Sequence, residues 1–182
     1  IGMHNVLNAT ASIIAGLLVG VKNSYIKESL KNYVGVKRRF TYLGRINRSK
    51  IFDDYAHHPT EISSVLDGVR EVYKNIEIVC IFQPHRISRV KNLKIEFSKS
   101  FKKADTVLLC PIYKASENLK LGFSYNSFAR LIIKNSKVKL INIQNDKILK
   151  KFLKQTAYGK KIYIGMGAGS ISNWMKSLKN NI

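Results

Sequence analysis

Apolar positions along the chain follow two kinds of pattern. Over residues 3–21 apolar side chains recur at helical spacing with small residues between them, and a second helical pattern covers residues 24–32. From residue 38 the pattern changes, and two β-type segments, 38–46 and 50–56, are joined around Asn47-Arg48. The sequence therefore predicts a pair of helices followed by two connected strands.

After Pro59 helical and strand patterns alternate regularly. Helices are predicted at 59–74, 90–103, 124–134, 146–155 and 170–179, and strands at 76–82, 106–110, 138–143 and 161–166. Short apolar strands separated by helices are typical of a parallel sheet that is covered on both faces. We therefore predict an α/β domain with a mostly parallel, Rossmann-like sheet over residues 35–182, preceded by the helical residues 1–34.

The chain is strongly basic, with 32 Lys and Arg against 11 Asp and Glu and a formal charge of +21. Such a charge favours nucleic-acid binding, because basic side chains neutralise phosphates. The basic residues are scattered, however, and the densest cluster is only Lys37-Arg38-Arg39. Lys, Ile and Asn are all abundant and all have A/T-rich codons, so a compositional bias explains the charge better. A nucleic-acid-binding module stays as an alternative.

Two further features bear on the compartment. Cys80 and Cys110 each lie in an apolar run, which predicts buried free thiols and a reducing environment. The longest apolar stretch, residues 11–21, is too short to span a bilayer. The chain begins at Ile1 rather than Met, so we expect it to be part of something longer.

Polar side chains cluster where the predicted strands end, which is the edge where open α/β sheets bind ligands. One strand runs into Asp53-Asp54-Tyr55-Ala56-His57-His58. Three interpretations stay open for this cluster: a ligand site, a helix N-cap region with satisfied histidines, and a metal site. The third is weakened because adjacent histidines point in different directions and no further ligand stands at a suitable spacing.

Two other strand ends carry candidate chemistry. Arg86 and Arg89 lie three residues apart at a predicted helix start, so they can share one face and suit a planar anion such as a carboxylate. The last strand runs into Gly167-Ala168-Gly169-Ser170. This turn either cradles an anion at a helix N-terminus or allows tight packing of strand and helix, and it matches no standard phosphate-binding motif.

Taken together, six segments of the sequence resemble the Mur ligases. They are HNVLNA (4–9), GVKRRF (35–40), DDYAHHPTE (53–61), FQPHRISR (82–89), YKASE (113–117) and GAGSI (167–171). The third and fourth are the most specific. In order and separation they are most similar to the branch that joins L-alanine to UDP-N-acetylmuramate.

The resemblance implies a reaction and a domain arrangement. Such ligases use ATP to convert the carboxylate of UDP-N-acetylmuramate to an acyl phosphate, which the amine of L-alanine attacks to form an amide. Residues 1–34 would be the helical end of the central ATPase domain, and residues 35–182 the C-terminal domain. Because the chain contains no GxxxxGK[ST] motif, we expect the phosphate-binding loop and most ligands of Mg²⁺ to lie elsewhere, and this chain alone to be inactive.

The resemblance also implies roles in nucleotide binding for four residues. Asn5 and Asn8 would lie near the adenine of ATP, and Arg39 would reach the nucleotide phosphates. Asp54 would hold the nucleotide, at its ribose. A bacterial cytoplasmic location follows from the same resemblance.

Four more residues would line the L-alanine pocket: Tyr55, His57, Arg86 and Arg89, with the arginines on the carboxylate. Ser170 departs from the family pattern, which often has an acidic or amide residue there, so its role is in doubt. The nearest alternative is the related ligase that joins a recycled tripeptide to UDP-N-acetylmuramate. That branch shares the DDxAHHPT string but lacks FQPHRxSR, so Arg86 and Arg89 are the discriminating residues.

Overall fold

The computed structural model describes residues 3–117 and 123–179, in which helices and strands alternate after a helical start. The first elements are α1 (Met3–Leu18), α2 (Asn23–Lys31), β1 (Thr41–Ile46) and β2 (Ser49–Asp54). They are followed by α3 (Pro59–Val72), β3 (Glu77–Phe82), α4 (Ile87–Asn92), α5 (Lys94–Lys99), β4 (Thr106–Leu109), α6 (Tyr125–Ser136), β5 (Lys139–Asn142), α7 (Asp146–Thr156), β6 (Lys161–Met166) and α8 (Ile171–Lys179).

The described strands form one sheet in the order β1-β2-β6-β3-β4-β5. β1 pairs antiparallel with β2 through a two-residue turn at Asn47-Arg48, and all other neighbours are parallel. The predicted mostly parallel α/β sheet is therefore confirmed. Because β2, β6, β3 and β4 run in the same direction, their carboxyl ends meet along one edge, which we call the carboxyl edge.

Helices cover both faces of the sheet, and the alternation of side chains along each strand supplies both interfaces. In β3, Ile78, Cys80 and Phe82 pack into a core shared with α3, α4, α5 and α6. Their neighbours Val79 and Ile81 pack on the other face, in a core shared with α7 and α8. The near-continuous apolar runs in the sequence reflect this burial on both faces.

The two thiols lie inside these cores. Cys80 and Cys110 are both fully buried and free, as the sequence predicts. Burial raises the pKa of Cys110 to about 12, and it raises that of Cys80 as well. Both side chains therefore act as small apolar groups at neutral pH rather than as nucleophiles.

One predicted helix has the wrong bounds. In place of a single helix over 90–103, the chain forms α4 and α5, separated at Leu93, which leaves the helical conformation with φ −113° and ψ 25°. Val90, Leu93 and Phe97 all reach the core shared with α3, as their spacing of three and four residues places them on one helical face. The break therefore interrupts the helix without redirecting its apolar face.

Helices α1 and α2 form a hairpin that is packed around Gly16. A Cβ atom at Gly16 would lie 3.1 Å from Cδ1 of Ile26, so the two helices approach closely there. Several apolar side chains of α1 are exposed in this chain, including Leu7 at 62% and Leu18 at 82%. In the part of the chain that the structure describes, no helix is both long enough and apolar enough to cross a membrane.

Residues 38–40, which directly precede β1, are bound to the carboxyl edge by hydrogen bonds and ring stacking. Arg38 and Phe40 both have left-handed backbone conformations, with φ of 62° and 47°. The Arg38 carbonyl accepts a hydrogen bond from the Tyr55 N–H at 2.7 Å, and its Nη2 donates to the Gly167 carbonyl at 2.6 Å. The Phe40 ring stacks on that of Phe52 with the centroids 4.2 Å apart. These contacts offset the strain of two left-handed residues that are not glycine.

Arg38 also serves a buried carboxylate. Its Nε lies 4.0 Å from Oδ2 of Asp53, which is only 1% exposed and accepts a hydrogen bond from the Ser172 hydroxyl at 2.6 Å. The guanidinium lies 4.6 Å from the centroid of the Tyr55 ring. Arg38 thereby connects the segment before β1 with the residues that follow β2 and β6.

Replacing Arg38 should destabilise the fold much more than replacing its neighbour. We expect Arg38→Ala to lower the free energy of unfolding by about 1.5–3 kcal/mol, because Asp53 loses its cation and the Gly167 carbonyl loses a charged donor. Arg39→Ala is the matched control, since Arg39 is exposed, and its effect should stay within about 0.5 kcal/mol. Urea denaturation measures both, and equal effects would contradict the role assigned to Arg38.

Gly165 in β6 tests how tightly α8 packs on the sheet. A Cβ atom there would overlap the Met175 side chain, beginning at its Cγ. We expect Gly165→Ala to cost about 1–3 kcal/mol of unfolding free energy through overpacking. The cost should shrink in a Met175→Ala background, which removes the obstructing atoms, and an unchanged cost in the double variant would show that the cause lies elsewhere.

Candidate functional site

Four rings follow one another along the carboxyl edge. The ring centroids of Tyr55 and His57 are 5.0 Å apart, those of His57 and His85 are 5.9 Å apart, and His85 stacks on Tyr113 at 5.5 Å with an interplanar angle of 15°. Tyr55 and His57 follow β2, His85 follows β3 and Tyr113 follows β4. The sheet thus brings together side chains that are up to 58 residues apart in the chain.

His57 is held in a defined orientation. Its Nδ1 lies 2.9 Å from the Tyr55 carbonyl oxygen and 3.4 Å from Oε2 of Glu61. Since both neighbours are acceptors, Nδ1 carries the proton and donates. In the neutral ring Nε2 is then the acceptor, and it is the nitrogen that can face a ligand.

The adjacent histidine has a different task. His58 is the N-cap of α3, and its ring accepts a hydrogen bond from the Thr60 N–H. Glu61 completes the cap by accepting from the N–H groups of His57 and His58 at 2.9 and 3.2 Å. The N-cap interpretation therefore describes His58, whereas His57 turns into the row of rings. In the described residues no group of three or more His, Cys, Asp or Glu is arranged to hold a metal ion.

The two predicted arginines lie at the start of α4, beside His85. Arg86 is exposed and has a left-handed backbone with φ 66°, while Arg89 is half-buried. Burial lowers the pKa of His85, and the charges of Arg89, His57 and Arg86 lower it further, so its ring is neutral at pH 7. The permanent positive charge at this point thus comes from the guanidinium groups.

Four buried side-chain atoms at this edge lack hydrogen-bond partners within the part of the chain that is described. Nε of Arg38 and Oδ1 of Asp53 belong to the ion pair described above, and Nη1 of Arg89 and Nδ1 of His85 lie at and just before α4. A buried donor without an acceptor is costly, so each such atom requires an explanation. Because a guanidinium nitrogen only donates, the unpartnered Nη1 of Arg89 indicates a place where a ligand supplies the missing acceptor.

The glycine turn after β6 is explained by packing. A Cβ atom at Gly167, whose φ is 149°, would lie 2.7 Å from the Gln83 carbonyl oxygen, and one at Gly169 would lie 2.6 Å from Cγ of Tyr113. Gln83 is buried, accepts a hydrogen bond from the Ile171 N–H at 2.9 Å and donates to the Ser170 hydroxyl at 3.0 Å. The start of α8 is thus capped by a protein side chain, which favours the packing interpretation. Ser170 serves as the partner of that amide.

Three of the four residues predicted to contact a nucleotide are exposed. Asn5 and Asn8 lie on the first two turns of α1. Arg39 lies just before β1, and its guanidinium is 5.8 Å from the centroid of the Tyr55 ring. Asp54 is different, because it is only 2% exposed and accepts hydrogen bonds from the N–H groups of Phe40 and Ala56, both at 2.7 Å. Burial raises the pKa of Asp54, although these two hydrogen bonds act in the opposite direction. A direct contact with a ribose stays a prediction.

Sequence reasoning missed three residues that help to build this edge. Arg38 was overlooked in favour of Arg39, and the signal that separates them is backbone geometry, which no pattern shows. Gln83 could have been found as the polar residue that ends an uncharged strand. Tyr113 lies in one of the six family-like segments, and only the stacking of its ring on His85 gives it a place at this edge.

The opposite edge of the sheet carries a basic cleft of about 1050 Å³. Its described lining includes Arg70, Lys74, Lys102, Lys137 and Lys139 but no aromatic side chain. The lining therefore lacks the stacking surfaces that single-stranded nucleic acids use. The unpartnered buried atoms and the row of rings lie at the carboxyl edge instead, so we take that edge as the candidate site.

Comparison with known proteins identifies the family that the six sequence segments resemble. The model of the family "Mur ligase, glutamate ligase domain" matches residues 38–169. A UDP-N-acetylmuramate–L-alanine ligase of Pelagibacter ubique is 56% identical over 178 residues, which cover 98% of this chain and 38% of that relative. The protein of the same name from Caulobacter vibrioides is 35% identical over 100% of this chain and 38% of its own length. The chain thus spans about 38% of the curated relatives that it matches.

Solved structures share the fold. A UDP-N-acetylmuramate–alanine ligase from Thermotoga maritima aligns with a TM-score of 0.75 and 27% identity, over 99% of this chain and 38% of its own. A murein peptide ligase from Psychrobacter arcticus aligns with a TM-score of 0.69 and 24% identity, over 100% of this chain and 38% of its own, which shows a common fold. With the family model matching most of the sequence, the resemblance of the six segments is confirmed, and the chain belongs to the Mur ligase family.

Proposed function

We propose that this chain is the C-terminal part of an ATP-dependent ligase that joins L-alanine to UDP-N-acetylmuramate in the synthesis of peptidoglycan precursors. Relatives that bear this name align over nearly the whole chain, with identities up to 56%. The observation that carries the proposal is Arg89, whose buried Nη1 has no partner among the described residues. An amino-acid carboxylate would supply the missing acceptor and would also neutralise part of the charge beside His85.

The proposed reaction has two steps. ATP supplies the phosphoryl group that converts the lactyl carboxylate of UDP-N-acetylmuramate to an acyl phosphate. The amine of L-alanine then attacks the acyl carbon, an amide bond forms, inorganic phosphate leaves and the nitrogen loses a proton. The residues of this chain serve the second step, because they hold the amine donor in place for the attack.

Each member of the candidate site has a role in holding L-alanine. Arg86 and Arg89 bind the carboxylate, for which guanidinium groups are geometrically suited. His57 presents Nε2 as the acceptor for the amino group, since its Nδ1 is engaged with the Tyr55 carbonyl oxygen. Tyr55 packs edge-on against His57 and fixes the orientation of that ring. Because the ring of His85 is neutral, Arg86 and Arg89 supply the positive charge that the carboxylate of L-alanine meets.

The nucleotide would be bound by exposed side chains outside the row of rings. Asn5, Asn8 and Arg39 are accessible to a ligand, and Arg39 suits phosphate groups. Asp54 supports this surface by holding the Phe40 N–H next to Arg39, and we retain its predicted contact with the nucleotide as part of the proposal. Most ligands of Mg²⁺ would lie in the parts of the ligase outside this chain.

The helical hairpin fits the end of a larger domain. Apolar side chains of α1, among them Leu7, Ile14 and Leu18, are more than half exposed in this chain. Such a surface favours burial against further structure. We therefore propose that residues 1–34 complete the central ATPase domain of the ligase, that residues 35–182 form its C-terminal domain, and that this chain alone is inactive.

The buried thiols are compatible with the cellular location that the reaction requires. Cys80 and Cys110 are both free, and they lie in the cores on opposite faces of the sheet. Free thiols are typical of reducing compartments. We propose the bacterial cytoplasm.

Replacing Arg89 tests the pocket directly. In the full-length ligase, Arg89→Ala should raise the KM for L-alanine by about 10- to 100-fold, the loss expected for a charged hydrogen bond of about 1.5–3 kcal/mol. Arg86→Ala should act in the same direction. The KM for ATP should change little in either variant, and Arg130→Ala, an exposed arginine on α6, serves as the control. An unchanged KM for L-alanine in Arg89→Ala would remove this residue from the pocket.

A competition experiment separates the two branches of the family. Full-length ligase supplied with UDP-N-acetylmuramate, ATP and equal amounts of L-alanine and the recycled tripeptide should form the L-alanine product. We expect a preference in kcat/KM of at least about tenfold, since the two amine donors differ in far more than one methylene group. Preferential use of the tripeptide would assign the chain to the recycling branch.

A further inference from the structure

The segment that follows β4 reaches across the carboxyl edge and contacts α4. Oε2 of Glu117 accepts a hydrogen bond from the Ser88 N–H at 3.1 Å, and its Oε1 accepts from the Ser88 hydroxyl at 2.5 Å. Both oxygens of one carboxylate are therefore engaged by a single residue of α4. Ser88 lies between Arg86 and Arg89 in the sequence, so this contact acts on the turn that carries both arginines.

Backbone pairing holds the same two segments together. The Arg86 N–H donates to the Tyr113 carbonyl and the Tyr113 N–H donates to the Pro84 carbonyl, each at 2.8 Å. His85 and Tyr113 stack above this rung. The pairing of β3 with β4 thus continues past the strand ends, up to Arg86, the residue directly before α4.

The geometry that these bonds maintain is strained. Arg86, Ala115 and Ser116 have left-handed backbones with φ of 66°, 48° and 67°, and none of them is glycine. Such conformations persist only where surrounding contacts determine them. The contact between Glu117 and Ser88 and the hydrogen bond from the Tyr113 N–H to the Pro84 carbonyl join this loop to the segment around α4.

Glu117 is charged and lies near Arg86. The hydrogen bond from the Ser88 hydroxyl lowers the pKa of Glu117, and the nearby charge of Arg86 acts in the same direction. The carboxylate is therefore ionised at neutral pH, and it would repel the carboxylate of an amino acid. Glu117 is accordingly suited to hold α4 and not to bind the substrate.

We propose that Glu117 is a positioning residue, which acts through Ser88 to orient Arg86 and Arg89 toward the carboxylate of the amino-acid substrate. This inference rests on the proposed function, since it gives those arginines the same ligand. Glu117 itself does not touch the substrate. Its effect is to fix the first turn of α4, and without it Arg86 can leave its left-handed conformation and carry its guanidinium away.

Kinetics of the full-length ligase test this role. Glu117→Ala should raise the KM for L-alanine by about tenfold, because small displacements of positioning groups are costly, while the KM for ATP stays within about twofold. Ser88→Ala should give a smaller rise in the same parameter, since it loses the hydroxyl contact but keeps the one from the backbone N–H. The matched control is Glu96→Ala, an exposed carboxylate at the start of α5, which should leave both KM values unchanged.

A double variant shows whether Glu117 acts through the arginines. In an Arg89→Ala background, Glu117→Ala should add much less to the KM for L-alanine than it does alone, because the group that it positions has been removed. Fully additive effects would overturn the proposal, as would an unchanged KM for L-alanine in both Glu117→Ala and Ser88→Ala. Equal rises in both KM values, accompanied by a lower melting temperature, would also overturn it by showing a merely structural role.

The same set of variants separates two kinds of failure. If Arg89→Ala leaves the KM for L-alanine unchanged, the proposed pocket is wrong and the positioning role falls with it. If Arg89→Ala raises that KM but Glu117→Ala and Ser88→Ala do not, only the positioning role is wrong.

Discussion

Hydrogen bonds between buried polar groups hold the loops of the carboxyl edge together, and the arrangement of the site depends on them. Asp54 shows the principle most clearly, because its two oxygens accept N–H groups from both sides, from Phe40 before β1 and from Ala56 after β2. Asp53 is held through one oxygen only, because its Oδ2 accepts from the Ser172 hydroxyl and faces Nε of Arg38, whereas Oδ1 has no partner among the described residues. The near-complete burial of Asp54 is tolerable because both of its oxygens have these partners.

The partners come from neighbouring strand ends, so each loop is fixed by a side chain of another. Gln83, at the end of β3, caps α8 after β6, and Glu117, after β4, holds α4 after β3. The row of rings from Tyr55 to Tyr113 lies on top of this network. Preorganisation of the candidate pocket therefore comes from bonds across the sheet edge rather than from the stiffness of any single loop.

What could be predicted from the sequence is what depends on local signals. Apolar runs predicted the strands, and the polar residues that follow these strands indicated the carboxyl edge as the candidate site. The break at Leu93 and the difference between Arg38 and Arg39 could not be predicted, because both are matters of backbone angles that no residue pattern shows. The roles of Gln83 and Glu117 depend on which strands are neighbours, and strand order is not a local property of the chain.

The position of β6 has a consequence for how the molecule is assembled. It follows the other described strands in the sequence, yet it lies between β2 and β3 in the sheet. Contacts between segments so distant in sequence slow folding, because a long loop must close before they form. During synthesis the strands that precede Tyr55 and His85 therefore lack the strand that pairs with both of them until residues 161–166 have left the ribosome. Before that moment β2 and β3 both present an unpaired edge, and these edges are where early association with other chains would begin.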